Sequence, residues 1–98
     1  MNLAKLVMSV QIERKLLERH NVTKAEVFEA FQNRTIGRYF ADTRPEHQTV
    51  PASRWFISST STGRQLKIIF IAYVEDGMLV IKSAYDPSEA DKRIWLTK

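Results

Sequence analysis

The chain has 98 residues, a formal net charge of +4, 44% hydrophobic and 27% charged residues, two histidines and no cysteine. One domain with a modest core is expected at this length, disulfide and thiolate chemistry are excluded, and a structural zinc site lacks its usual ligands. The basic balance suits an anionic partner such as nucleic acid or an acidic protein, and the longest apolar run is far too short to span a bilayer.

In chain order, residues 3–20 favour helix, because Leu3, Leu6, Val7 and Val10, then Ile12, Leu16 and Leu17, follow helical spacing. Ser9 offers a second helix start, which leaves a short strand before it as the alternative. Leu3 to Val10 is short and interrupted by Lys5, unlike a signal peptide, so the expected compartment is the cytoplasm. Glu13, Arg14, Lys15, Glu18 and Arg19 form a mixed-charge outer face, and Asn21 suits a left-handed C-cap. Thr23-Lys24-Ala25-Glu26 spells a capping box with a Val22/Val27 staple, and the helix it opens runs to about Asn33, burying Val27, Phe28 and Phe31. A DNA-binding helix-turn-helix fits poorly, since Glu26 and Glu29 stand where phosphate contacts need cations.

A short strand over 36–41 leads into a polar loop, 42–53, which holds the titratable residues Asp42, Arg44, Glu46 and His47. The stretch from Arg54 to Tyr85 organises the rest. Its run Leu66 to Val74 is continuously apolar, as in a strand covered on both faces. Thr62-Gly63 and Asp76-Gly77 read as hairpin turns. The first pairs Ser59 with Leu66, Ile57 with Ile68 and Trp55 with Phe70. The second pairs Val74 with Leu79, Ala72 with Ile81 and Ile71 with Lys82.

Alternation then puts Trp55, Ile57, Leu66, Ile68, Phe70, Ala72, Val74, Leu79 and Ile81 on a core face. Arg54, Phe56, Ser58, Lys67, Ile69, Ile71, Tyr73, Val80 and Lys82 fall on the other. Two readings of that second face stand: a helix covers it while Lys67 and Lys82 snorkel at its rim, or it receives RNA or a protein partner. Asp86 as N-cap, Pro87 and Glu89 open a last helix to about Leu96, packed through Ala90, Ile94 and Trp95. The expected fold is α+β: two N-terminal helices, a four-stranded antiparallel meander and a C-terminal helix.

Several pieces, in order and spacing, carry a resemblance over roughly Val10 to Trp95. They are Lys15-Leu16 through His20-Asn21-Val22, Glu26-Val27-Phe28, Arg54-Trp55-Phe56-Ile57, Thr62-Gly63-Arg64-Gln65-Leu66, Ile81-Lys82-Ser83-Ala84, and Asp91-Lys92-Arg93-Ile94-Trp95. In these the chain resembles the BrnT family of bacterial toxins, which share the RelE-like fold. It departs from that family at Asn21, where Gly is usual, and at Tyr85, where Arg is usual. The resemblance implies a ribonuclease toxin of a type II toxin–antitoxin pair, neutralised by a small DNA-binding antitoxin through which alone it would meet DNA.

Metal-free RNA cleavage needs a base for the 2′-hydroxyl, cations for the developing phosphorane charge and an acid for the leaving oxygen. His20 and His47 alone titrate near neutrality when unperturbed. Arg64 and Lys82 are the expected charge stabilisers, and His20 and Tyr85 the base or positioning groups. Arg54, Lys67, Arg44 and His47 are the expected RNA contacts, with Tyr73 a second ring for stacking or acid work. His20 reads equally as a helix-end histidine bonded to a carbonyl. The expectation includes no cofactor and no metal. A domain that keeps the fold but binds protein or nucleic acid without cleavage is the alternative function.

Overall fold

The computed structural model describes residues 5–42 and 49–97. Elements follow in the order β1 (Lys5–Val7), α1 (Val10–His20), α2 (Lys24–Asn33), β2 (Phe40–Ala41), β3 (Ser53–Ser59), β4 (Gln65–Tyr73), β5 (Met78–Tyr85) and α3 (Glu89–Leu96). The architecture is α+β, with one five-stranded sheet in the order β1-β5-β4-β3-β2. β2 to β5 form the antiparallel meander. β1 adds a parallel edge strand on β5, pairing Leu6 with Leu79 and Val7 with Val80, so the sheet is mixed and larger than four strands.

Of the two readings of residues 3–20, the structure takes the one with a strand ahead of Ser9. Ser9 is the N-cap and accepts from the Ile12 amide at 3.1 Å, so α1 begins at Val10. Lys5–Val7 ahead of it is strand, because the apolar pair Leu6-Val7 meets the β5 edge and Leu6 packs onto the core. α1 ends where expected: Asn21 is left-handed at φ 53°, and its amide reaches back to the carbonyls of the last turn. Thr23 and Glu26 close the capping box, with Val22 and Val27 both buried beside it.

α1 and α2 lay Leu16, Val27, Ala30 and Phe31 on one sheet face, against Phe56, Leu66, Ile68, Phe70, Ala72, Ile81 and Ala84. Phe31, Phe56 and Phe70 meet edge to face at centroid separations of 4.9–5.7 Å, the favoured aromatic arrangement. α3 covers the opposite face, where Trp95 packs with Phe40, Trp55, Ile57 and Ile69. That answers one question about the second face: a helix lies on it.

Both hairpin registers differ from expectation. β3 and β4 pair Ser59 with Gln65, Ile57 with Lys67 and Trp55 with Ile69, one residue away from the expected pairing. The reason is the loop. Thr60 donates to the Arg64 carbonyl at 2.8 Å, closing a three-residue turn, Ser61–Gly63, with Gly63 at φ 90°. An odd loop slips the register by one and exchanges the faces of a strand. Phe56 therefore joins the large core, while Trp55 and Ile57 move under α3.

β4 and β5 join through Val74–Gly77 and pair Tyr73 with Met78, a two-residue slip that leaves faces unchanged. A bulge at Ile69/Phe70, opposite Ile81 to Ser83, then moves Ala84 into the core and Tyr85 to the α3 side.

Two further expectations change. The strand over 36–41 shrinks to Phe40–Ala41. α3 starts later than Asp86 would place it: Ser88 is the cap and Asp91 the reciprocal partner, with bonds of 3.0 Å in both directions. Ala90 and Ile94 are exposed, and Asp91 and Trp95, one helical turn apart, face the sheet.

Candidate functional site

The end of the sheet where α1 turns into α2 and β5 leaves for α3 collects four of the sequence candidates. Arg64 sits at its centre. Its Nε and Nη2 grip the Asp86 carboxylate at 2.9 and 3.1 Å. Nη1 donates to the Asn21 carbonyl at 2.8 Å and to Glu26 Oε2 at 3.1 Å, and Nη2 also reaches the His20 carbonyl at 3.2 Å. A guanidinium has five N–H donors, and all five have acceptors here. Its hydrogen bonds to Asp86, and after it to Glu26, favour the charged guanidinium and raise its pKa above the ordinary value. Two carboxylates around one cation leave a local charge of −1, which disfavours phosphate at Arg64. In this structure Arg64 is an internal tie, with no donor left over for the charge-stabilising role expected of it.

Asp86 is available for this because Ser88 caps α3 in its place. Arg64 holds the Asp86 carboxyl below the usual carboxylate range, and the nearby His20 adds to the effect. Glu26 is lowered first by the Thr23 amide of its capping box and also by Arg64, against the opposing effect of burial.

Arg64 fixes the α1–α2 corner by its backbone, and beside it the His20 ring lies 5.4 Å from the Tyr85 ring, tilted by 44°. The two come from residues 65 positions apart, one at the end of α1 and the other at the end of β5. Alternation alone would have sent Tyr85 to the core, and the bulge corrects that placement.

Lys67 is the second revised cation. It is expected at a solvated rim, but only 8% of its side chain is exposed. Its Nζ bonds Asp91 Oδ1 at 2.9 Å and lies 4.6 Å from the Trp55 ring centre and 5.7 Å from that of Tyr85. Burial would push the Asp91 carboxyl up, yet Lys67 and the Ser88 cap bonds bring it below its ordinary value. Lys67 thus anchors α3.

The expected common face of Arg54, Lys67 and Lys82 is also corrected. Arg54 pairs with Phe70 on the α1–α2 side and stacks over Tyr39 at 4.6 Å, whereas Lys67 pairs with Ile57 beneath α3. Lys82 is the extra residue of the β5 bulge; it is exposed and has no ion pair among the described residues. Tyr73 is half-buried at the far end of β4, beside the turn. Arg44 and His47 lie outside the described residues. The sequence reading missed Arg38, which stacks 4.0 Å over Trp95 and donates to its carbonyl, and also the ligands of Arg64. Nothing local in the sequence marks residues so far apart as partners.

Among the described residues no three His, Asp or Glu side chains gather as a metal site, and no helix is long and apolar enough to cross a membrane. Comparison of the chain with family models, curated proteins and solved structures returned no match.

Proposed function

We propose that this chain is the toxin of a type II toxin–antitoxin module and cleaves RNA without a metal, at the end of the sheet that carries His20 and Tyr85. The observation that supports it is the approach of these two rings to 5.4 Å beside a fixed corner of the fold. An imidazole can take the 2′-hydroxyl proton near neutral pH, and a phenol can donate to the leaving oxygen. Lys82, exposed three residues earlier on β5, is the remaining cation for the phosphate. The antitoxin would be a small DNA-binding protein that occludes this end. The likeness to the BrnT family and its RelE-like fold belongs to this proposal.

A second reading, a non-catalytic interaction domain of the same fold, is favoured by the carboxylates that neutralise Arg64 and Lys67. One experiment separates the two. The wild type, His20→Ala and Tyr85→Phe are induced in bacteria, with and without the neighbouring gene, while growth and RNA integrity are followed. The toxin reading expects arrest and RNA cleavage by the wild type alone, relief by the neighbour, and loss in both variants. A harmless wild type that leaves RNA intact would replace it with the interaction-domain reading.

A further inference from the structure

Arg64 spends all five donors inside the protein, and its acceptors are an unusual set. Two are backbone carbonyls of His20 and Asn21, the last residue of α1 and its left-handed cap. One is Asp86, the residue next to Tyr85 in the chain, and one is Glu26 at the start of α2. A single planar group therefore spans the backbone of one member of the ring pair and the chain neighbour of the other. No other hydrogen bond links the α1 end to the β5 end among the described residues.

We infer that Arg64 is the positioning residue of the His20–Tyr85 pair: it sets the separation of the two rings and does not touch the substrate. The inference rests on the proposed ribonuclease reading for its catalytic meaning, but the geometric claim stands without it. The planarity of the guanidinium matters, because its fork reaches Asp86 with two parallel bonds while its other edge holds the α1 corner. A lysine at this position carries the charge but cannot span four acceptors in fixed directions.

The residue type also separates this role from a phosphate clamp. A clamp acts on substrate affinity and on its salt dependence, since each phosphate contact releases counterions. A positioning group acts on the chemical step, where misplacement by about 1 Å costs roughly 10²-fold in rate.

The test uses the full chain as wild type, Arg64→Gln, Arg64→Lys and Asp86→Asn. Nuclear Overhauser contacts between the His20 and Tyr85 rings are followed by NMR, with the Phe31–Phe70 contacts as the reference for an intact core. The expected result is that the ring contact vanishes in Arg64→Gln, weakens in Arg64→Lys and in Asp86→Asn, and the Phe31–Phe70 contacts persist. Persistence of the His20–Tyr85 contact in Arg64→Gln overturns the inference. If that variant does not fold, the same criterion applies to Arg64→Lys and Asp86→Asn, each of which keeps part of the network.

With single-stranded RNA as the probe, kcat should fall roughly 10²-fold in Arg64→Gln, with KM and its salt dependence unchanged. A raised KM with a shallower salt dependence at unchanged kcat would instead make Arg64 a clamp and overturn the inference. A wild type that cleaves no RNA refutes the proposed function, while the ring contacts still decide the positioning claim.

Discussion

Two cations that look like surface residues are spent on holding the protein together. Lys67 lies in the middle of an apolar strand run, and burying its ammonium is tolerable only because Asp91 and the Trp55 and Tyr85 rings surround it. Removing one partner of such a pair leaves the other uncompensated. Lys67→Ala should therefore destabilise the fold by on the order of 3 kcal/mol, read as a lower midpoint in urea unfolding. Phe70 presents a contrasting case, a purely apolar centre in contact with Phe31, Tyr39 and Phe56. Phe70→Ala should cost about 3–5 kcal/mol; a loss below about 1 kcal/mol would contradict its place in the core. Arg64 carries no apolar load, yet it joins the α1 corner, α2, the β3–β4 turn and the chain after β5. An Ala at 64 would remove a structural tie as well as a charge, so loss of function in that variant alone says nothing of catalysis.

At the scale of elements, α3 shows how a few local bonds set a boundary. It contributes no fully buried residue, so its start depends on the Ser88–Asp91 box and its docking on Asp91 and Trp95. Ser88→Ala should cost about 1 kcal/mol by removing the cap. Asp86→Ala should leave the helix content by circular dichroism unchanged while still lowering stability, since Asp86 serves Arg64 and not the helix. Loss of helix in Asp86→Ala would return the cap to Asp86. The β3–β4 turn is the other decisive element. No atom lies within 4 Å of the position a Gly63 Cβ would take, so the cost of Gly63→Ala comes from its φ of 90° alone. About 1–2 kcal/mol is expected, measurable by thermal unfolding.

The whole molecule couples these ties to pH. Glu26, Asp86 and Asp91 all have carboxyl groups held below their ordinary values in the folded state. A group with a depressed folded pKa binds fewer protons folded than unfolded. Its stabilisation is fully present above the unfolded value, about 4 for these carboxyls, and is lost as pH falls through the folded value. The unfolding midpoint should thus be nearly flat from pH 7 to about 5 and fall below about 4. Arg64→Gln should shrink that fall, because it removes the guanidinium that favours the ionised forms of Glu26 and Asp86. An equally steep fall in the variant would show that Glu26 and Asp86 are not tied to Arg64 as described.

What the sequence alone determined is what local chemistry encodes. Thr23 and Glu26 close their box within three residues, Asn21 takes the left-handed cap, and the apolar run of β4 forms a strand covered on both sides. The order β3-β4-β5 followed from two turn signals, and the apolar alternation of β4 itself was assigned to the correct faces. The tertiary structure decided everything that depends on counting residues across a turn. Thr62-Gly63 marks a turn but does not say whether two or three residues close it, and that one residue moved Trp55, Phe56 and Ile57 to opposite faces. The bulge in β5 did the same for Tyr85, and its approach to His20 was no more legible. Which carboxylates would neutralise Arg64 and Lys67 was equally illegible. Those partners are 22–38 residues away in sequence, and only the folded sheet sets them within hydrogen-bond distance.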